Sequence, residues 1–575
     1  MKTKKNIRNF LTKTFAVIIT AAVATFVCAS SVFACTAIYI GPEVSDDGST
    51  IIVRSNDYQD VWPNYVMVCE AVENVPGRTA PVDNDDTVFA ELPATTYKYT
   101  CTPWMDSATE YNGLESDAAA AVNEYGVSMT MSISAFSNDE ALNADPLIEN
   151  GLTEFTADSL VICQSKTARE AVEVLANLID TYGSSECNIA LIADQSEAWY
   201  VEMYTGHEYA AVKLPKDKVC YFGNEFSLEY LSDYEESIVS DHLLSLPEEN
   251  GFAKYNENGE LDLLATYSLE FINYSHMRTW IGHKTMAPSA YGDYSIDERY
   301  PLVFTPDNKV SLNDCLDLIR NRYEGTEYSP DDTKRTDMRV AGTDTALSVH
   351  AIQIYSDLPA DRSAITWVSS GPAIAGVFVP VSNAVTSIAD CYGLNQSYDD
   401  FGQFDYNTYA YYTFKGLTTL AVTDYNAYGA PIKDYFESCE AIMSKEIRDL
   451  LVMTKDMDSS EASAVITDYC TAMEEQAFAD GKQLMNDLLW YMSQNSNTMK
   501  RGRNPETHEA TDTDKVVTPM TVKLDNSNYH YEYNPESVTP AAPETSSANN
   551  TMYVVLGVCA AAAAVALIIA KSRKK

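Results

Sequence analysis

Apolar and polar positions change period several times along this chain, and each change marks an element. Residues 36–40 and 51–53 are β-branched, apolar runs separated by Pro42 and Asp46-Asp47-Gly48-Ser49, which predicts a strand, a turn and a returning strand. Farther on, Val127, Met129, Met131 and Ile133 alternate with Ser128, Thr130, Ser132 and Ser134, the two-residue period of a strand buried on one face. The period then lengthens. Thr167 and Glu170 are spaced as a capping box, Ala171, Val174, Leu175, Leu178 and Ile179 share one face, and Gly183 ends the predicted helix. Three short strands are predicted next, over 189–193, 199–203 and 210–214, with Asp194-Gln195-Ser196 and Thr205-Gly206-His207 as turns. Apolar, β-rich stretches at 348–355 and 365–369 carry the sheets to about residue 380, and residues 432–498 read as helical. Hairpins with segregated helices predict an α+β fold.

The two ends follow different rules. Residues 1–13 hold Lys2, Lys4, Lys5, Arg8 and Lys13 without an acid, an apolar run follows over 15–27, and Val32-Phe33-Ala34 closes it on a small residue. That is the layout of a secretory signal peptide, residues 1–34, cut after Ala34. Residues 552–570 are uncharged and rich in Ala and Val, long enough to cross about 30 Å of hydrocarbon, and Lys571-Ser572-Arg573-Lys574-Lys575 follows as a stop-transfer tail. Between residues 499 and 551 the chain is rich in Thr, Pro, Asn, Glu and Ser and poor in Leu and Ile, which predicts a flexible stalk. The expected organisation is thus a leader, an enzyme domain over 35–498, the stalk, a single transmembrane helix and a cytoplasmic tail over 571–575. It would stand on the extracellular face of a bacterial cell membrane.

Charge narrows the partners. Of the 39 basic residues, nine lie in the leader and tail, so 30 face 83 acids between residues 35 and 570. Nucleic acid is not an expected partner of such a surface, and the membrane is met through the C-terminal helix rather than through charge. Ten cysteines lie outside the leader and anchor with no two closer than 24 residues, so nothing reads as a zinc-ligand pair, and no HExxH, GxSxG or phosphate loop is present. No cofactor is expected. The sequence carries no signal of oligomeric state.

The informative coincidence is chemical. Cleavage after Ala34 would expose Cys35, placing a thiol and a free α-amine on one residue at the head of a strand. The amine, with an ordinary pKa of about 7.7–8.0, can take the thiol proton without a histidine. Arg54 and Asp57 end the returning strand, where the hairpin brings them beside Cys35, and an arginine there favours thiolate. Two other readings of Cys35 compete: a structural half-cystine, and a lipobox cysteine acylated after cleavage, for which Phe33 is poorly suited.

These residues resemble the dipeptidase A type of the N-terminal-nucleophile hydrolases, related to penicillin V acylase and conjugated bile acid hydrolase. The resemblance rests on "CTAIYIG" followed by "DDGSTIIVRSND", on "NEYGVSMTMS", on "LIADQSEAWYVEM", "AAVKLPKDKV" and "GNEF" in that order, and on "SVHAIQIYSDLP" with "ITWVSSGPAIAGVFVPV". It implies a four-layer αββα sandwich with Cys35 as nucleophile, Arg54 and Asp57 as its activating pair, and Asn224 as the side-chain donor of an oxyanion hole. Arg278 matches the second active-site arginine of the acylase relatives, and a backbone donor is expected near Ser132. The implied activity is cleavage of dipeptides through a thioester. An amidase acting on conjugated bile acids or penicillin-like amides is the alternative on the same fold. A surface adhesin or a substrate-binding lipoprotein is the alternative outside enzymes.

Overall fold

Asp47 folds the first hairpin. Its carboxylate accepts from the Ser49 peptide N–H at 3.0 Å and from the hydroxyls of Ser45 and Ser49, while Gly48 takes a φ of 81° that other residues rarely adopt. The strands that leave this turn are β1 (Ala37–Ile40) and β2 (Thr50–Asp57), paired antiparallel with Ala37 opposite Arg54. The protein is seen here as a computed structural model describing residues 35–58, 61–104, 118–131, 134–335, 338–396, 403–495, 506–508 and 518–533.

Two large sheets face each other. In chain order their other strands are β3 (Met67–Cys69), β4 (Tyr99–Pro103), β5 (Ala118–Asn123), β6 (Ser128–Thr130), β7 (Asn188–Ala193), β8 (Ala198–Met203), β9 (Tyr209–Lys213), β10 (Val219–Phe222), β11 (Ser237–Val239), β12 (Ala346–Ile354), β13 (Ala364–Ser370) and β14 (Val379–Ser382). The first sheet runs β10-β1-β2-β12-β13-β14 and the second β11-β9-β8-β7-β6-β5-β4-β3. Strand β1 is therefore interior, hydrogen-bonded to β10 on one side and β2 on the other.

Three apolar cores order the layers. Ala37, Tyr39 and Ile52 of the first sheet meet Ala120, Leu191 and Tyr200 of the second. On the far side of the second sheet, Met129, Ile192 and Trp199 pack on helices α1 (Glu154–Ile162) and α2 (Ala168–Tyr182), the latter capped by Thr167 and ended by Gly183. On the far side of the first sheet, Ile38, Val53 and Trp367 pack with the residues of α4 (Leu312–Ile319), α5 (Ala410–Ala421), α6 (Ala430–Met453) and α7 (Ser459–Asn495). A further helix, α3 (Asn273–Met286), lies against β10, and Gly282 permits it: a Cβ there would stand 1.9 Å from the Tyr221 ring.

Two expectations need correction. The strand around residue 129 is buried on both faces, because Ser128 and Thr130 look into the space between the two sheets, where Thr130 meets His350, rather than into water. The flexible stalk expected over 499–551 does not describe residues 518–533, which dock on the helical layer: Met520 and Tyr529 are buried, the Met520 N–H bonds the Ala427 carbonyl at 2.8 Å, and the Tyr531 N–H bonds the Glu446 carboxylate at 2.7 Å. Tyrosine and methionine supply the apolar area that leucine and isoleucine would otherwise give. The leader over 1–34 and the anchor and tail over 552–575 lie outside the described residues. Among the described residues no helix is long and apolar enough to cross a membrane, and the ten described cysteines are all free thiols.

Buried charge ties the helical layer to the sheets. Arg320 donates to both carboxylate oxygens of Glu440, which also accepts the Phe378 N–H at 2.8 Å, and each side chain is at most 2% exposed. Glu474 in α7 is fully buried with one oxygen on the Ala389 N–H at 2.7 Å, and burial pushes its carboxyl up to about 8. Raised above the unfolded value, such a group stabilises the fold fully below about pH 4.5, and that contribution is lost as pH climbs to about 8. Thermal melts at pH 5 and pH 8 should therefore show the Tm difference, Glu474→Gln minus wild type, growing in the variant's favour toward pH 8.

Candidate active site

Cys35 sits at the head of β1, fully buried. The Thr36 N–H donates to the Ser55 hydroxyl at 3.0 Å and the Ser55 N–H to the Thr36 carbonyl at 3.0 Å, so the residue after the thiol is clamped to β2. One register position along, Arg54 turns its guanidinium to the sulfur. Nη2 lies 3.3 Å from Cys35 Sγ and 3.1 Å from Asn56 Oδ1, and Nη1 crosses to the second sheet to donate to the Ala119 carbonyl at 3.0 Å.

Asp57 ends the same strand, 1% exposed. Its Oδ2 accepts from Arg339 Nη2 at 2.9 Å, and its Oδ1 is buried with no hydrogen-bond partner among the described residues. Arg278 arrives from α3. It donates through Nη1 to the Cys35 carbonyl and, at 3.0 Å, to Thr36 Oγ1, and through Nη2 to Asn224 Oδ1 at 2.8 Å. Because that guanidinium needs an acceptor, Asn224 must present its amide nitrogen the other way, where Nδ2 donates to the Ser134 carbonyl at 2.8 Å. Gly223 makes the approach possible, since a Cβ there would come within 3.2 Å of Arg278 Cζ. Glu225 fixes the same turn to α3 through the Thr279 hydroxyl at 2.5 Å and His276 Nδ1 at 3.0 Å.

The fold thus brings together all five residues singled out in the sequence: Cys35, Arg54, Asp57, Asn224 and Arg278. The backbone donor expected near Ser132 lies outside the described residues. Sequence reading missed Arg339, because no local pattern ties a loop arginine to a carboxylate 282 positions earlier. It also missed His350, which lies opposite Arg54 in register and whose Nε2 is 2.9 Å from Thr130 Oγ1. The Thr130 hydroxyl donates to the Ala119 carbonyl at 3.2 Å, so His350 donates to Thr130 and stays neutral, burial and Arg54 both holding its pKa well below the usual range.

Electrostatics explain what the cluster can do. Burial pushes the Cys35 thiol up, Arg54 pulls it down, and the Asp57 carboxylate raises it while the Asp57 N–H lowers it. Asp57 is itself raised by burial and drawn back by Arg339, Arg278 and Arg54. Deprotonation of the thiol is therefore costly unless a base takes the proton locally and Arg54 holds the thiolate. No group of three or more His, Cys, Asp or Glu side chains suited to a metal occurs among the described residues.

A buried thiol, a guanidinium on the sulfur and an oriented amide are parts that a cysteine-type hydrolase can use. The model of peptidase family C69 matches residues 34–438, and the chain belongs to that family. The "Probable dipeptidase B" of Streptococcus pyogenes serotype M1 is 27% identical over 461 residues, covering 76% of this chain and 89% of that one. The "Probable dipeptidase" of Latilactobacillus sakei is 25% identical over 472 residues, covering 79% and 94%. A solved structure, a mutant conjugated bile acid hydrolase from Clostridium perfringens, superposes with a TM-score of 0.28 and 11% identity over 58% of this chain and 89% of that one.

Proposed function

We propose that this protein is a cysteine dipeptidase of the N-terminal-nucleophile type, with Cys35 as both nucleophile and first residue of the mature enzyme. The observation that carries the reading is the Arg54 guanidinium 3.3 Å from a fully buried Cys35 sulfur at the head of an interior strand. The dipeptidase names of relatives matched over about nine-tenths of their length support the substrate class.

Removal of residues 1–34 would give Cys35 an α-amine beside its own thiol. The amine takes the thiol proton, and the thiolate forms against Arg54. Asp57 Oδ1, buried and without a hydrogen-bond partner among the described residues, accepts an N–H of that amine and steadies the ammonium once the proton has moved. The sulfur attacks the peptide carbonyl. One Asn224 amide hydrogen stays on the Ser134 carbonyl, and the second is available to the oxyanion, its direction set by Arg278. The ammonium gives its proton to the leaving amine. Water, deprotonated by the same amine, then opens the thioester and frees the first amino acid.

Asn224→Ala should lower kcat about 10²-fold with KM little changed, since the lost donor meets charge that exists only in the transition state. The signal-like leader and the apolar, cation-flanked C-terminal run support a place on the outer face of the cell membrane. The direct test of function is release of free amino acids from a panel of dipeptides beside glycine- and taurine-conjugated bile acids and penicillin V. Turnover of dipeptides alone supports the proposal; turnover of the conjugates alone makes the enzyme an amidase.

A further inference from the structure

Arg339 lies at the edge of the cluster and is unlike the other two arginines there. Arg54 and Arg278 are fully buried, whereas the Arg339 side chain is 16% exposed. It is nonetheless rigidly held. Nη1 donates to Thr343 Oγ1 and Thr345 Oγ1 at 3.1 Å each, Nη2 to Asp57 Oδ2 at 2.9 Å, its carbonyl accepts the Tyr323 hydroxyl, and its guanidinium lies 5.9 Å from the Tyr274 ring centre. Ordering a long side chain to this degree is costly unless the direction of its charge matters.

Two of the five guanidinium N–H groups are left over, the second on Nη2 and the one on Nε. Nε of Arg339 is buried and has no hydrogen-bond acceptor among the described residues. A charged N–H without a partner is a costly thing to bury, and a carboxylate is its best complement. The dipeptidase reading, on which this inference rests, requires such a carboxylate nearby. In a dipeptide the free C-terminal carboxylate follows one residue beyond the cleaved bond, so it must sit within about one residue length, roughly 3.3–3.8 Å of chain, past the leaving nitrogen. Arg339 holds Asp57, two residues past the Ser55 that pairs with Thr36, so its guanidinium stands at the end of β2 that lies beside Cys35.

We propose that Arg339 reads the free C-terminal carboxylate of the substrate, the spare N–H of its part-exposed guanidinium donating to a carboxylate oxygen, and thereby confines the enzyme to chains that end one residue after the cleaved bond. Arg339 is then a specificity-determining residue as well as the clamp on Asp57, and the two roles separate experimentally.

The test compares kcat/KM for a dipeptide with that for the same dipeptide as its C-terminal amide, in wild type, Arg339→Met and Arg339→Lys. Wild type should prefer the free acid about ten- to a hundredfold, the range of a charged hydrogen bond. Arg339→Met should bring the ratio near one, whatever general loss comes with disturbing Asp57, and Arg339→Lys should keep part of the preference through its charge. An equal fall for acid and amide in Arg339→Met, with the ratio intact, overturns the proposal and leaves only the clamp. A wild-type ratio near one overturns it without any variant. If wild type cleaves neither substrate, the dipeptidase reading itself fails, a result distinct from either.

Discussion

Cys35→Ser is expected to abolish dipeptide hydrolysis, lowering kcat/KM by about 10³-fold or more while leaving the fold intact. The substitution keeps the size and the hydrogen-bonding capacity of the side chain, so Arg54 retains a partner and the clamp between Thr36 and Ser55 is untouched. What changes is acidity. A hydroxyl gives up its proton to an amine of pKa about 8 far less readily than a thiol does, and everything downstream depends on that transfer. Purified variant with an unchanged Tm and no detectable release of amino acids is the expected outcome. Turnover near the wild-type level would place the nucleophile elsewhere.

Arg54→Met should lower kcat/KM by about 10²–10³-fold, because the thiolate would then be a buried charge without its counterion. The variant carries a second signature that loss of packing alone does not give. Arg54 has the largest part in drawing the Cys35 thiol down against burial, so without it the rate of Cys35 alkylation should rise only at higher pH than in wild type. The pH profile of iodoacetamide labelling, followed on the Cys35 peptide, separates the two explanations. A profile that stays in place while activity falls would make Arg54 a packing residue.

How much of this was legible beforehand depended on how local the cause was. The opening hairpin was readable because Asp47, Gly48 and Ser49 form its turn among themselves, and once the hairpin is drawn, Ala37 must face Arg54. The Thr167 cap and the Gly183 stop were readable for the same reason. Arg278 was reached only through family resemblance. Its helix is buried on nearly every face from Ser275 to His283, so no amphipathic stripe marks which side meets β1. Arg339 and His350 gave no signal at all, since each gains its partner by tertiary pairing, with Asp57 and with Thr130. Residues 518–533 were misread as stalk because composition was judged by leucine and isoleucine, whereas Met520, Tyr529 and Tyr531 do the docking.

The proposed mechanism depends on one sulfur and one amine on the same residue. Mass spectrometry of the N-terminal peptide from active enzyme, labelled with iodoacetamide to the point where half the activity is lost, measures both together. The expected peptide begins at Cys35, with a free α-amine and with label on the Cys35 sulfur in step with the lost activity. Active enzyme that retains residues ahead of Cys35, that carries an acylated first residue, or that loses activity with Cys35 unlabelled would contradict the mechanism.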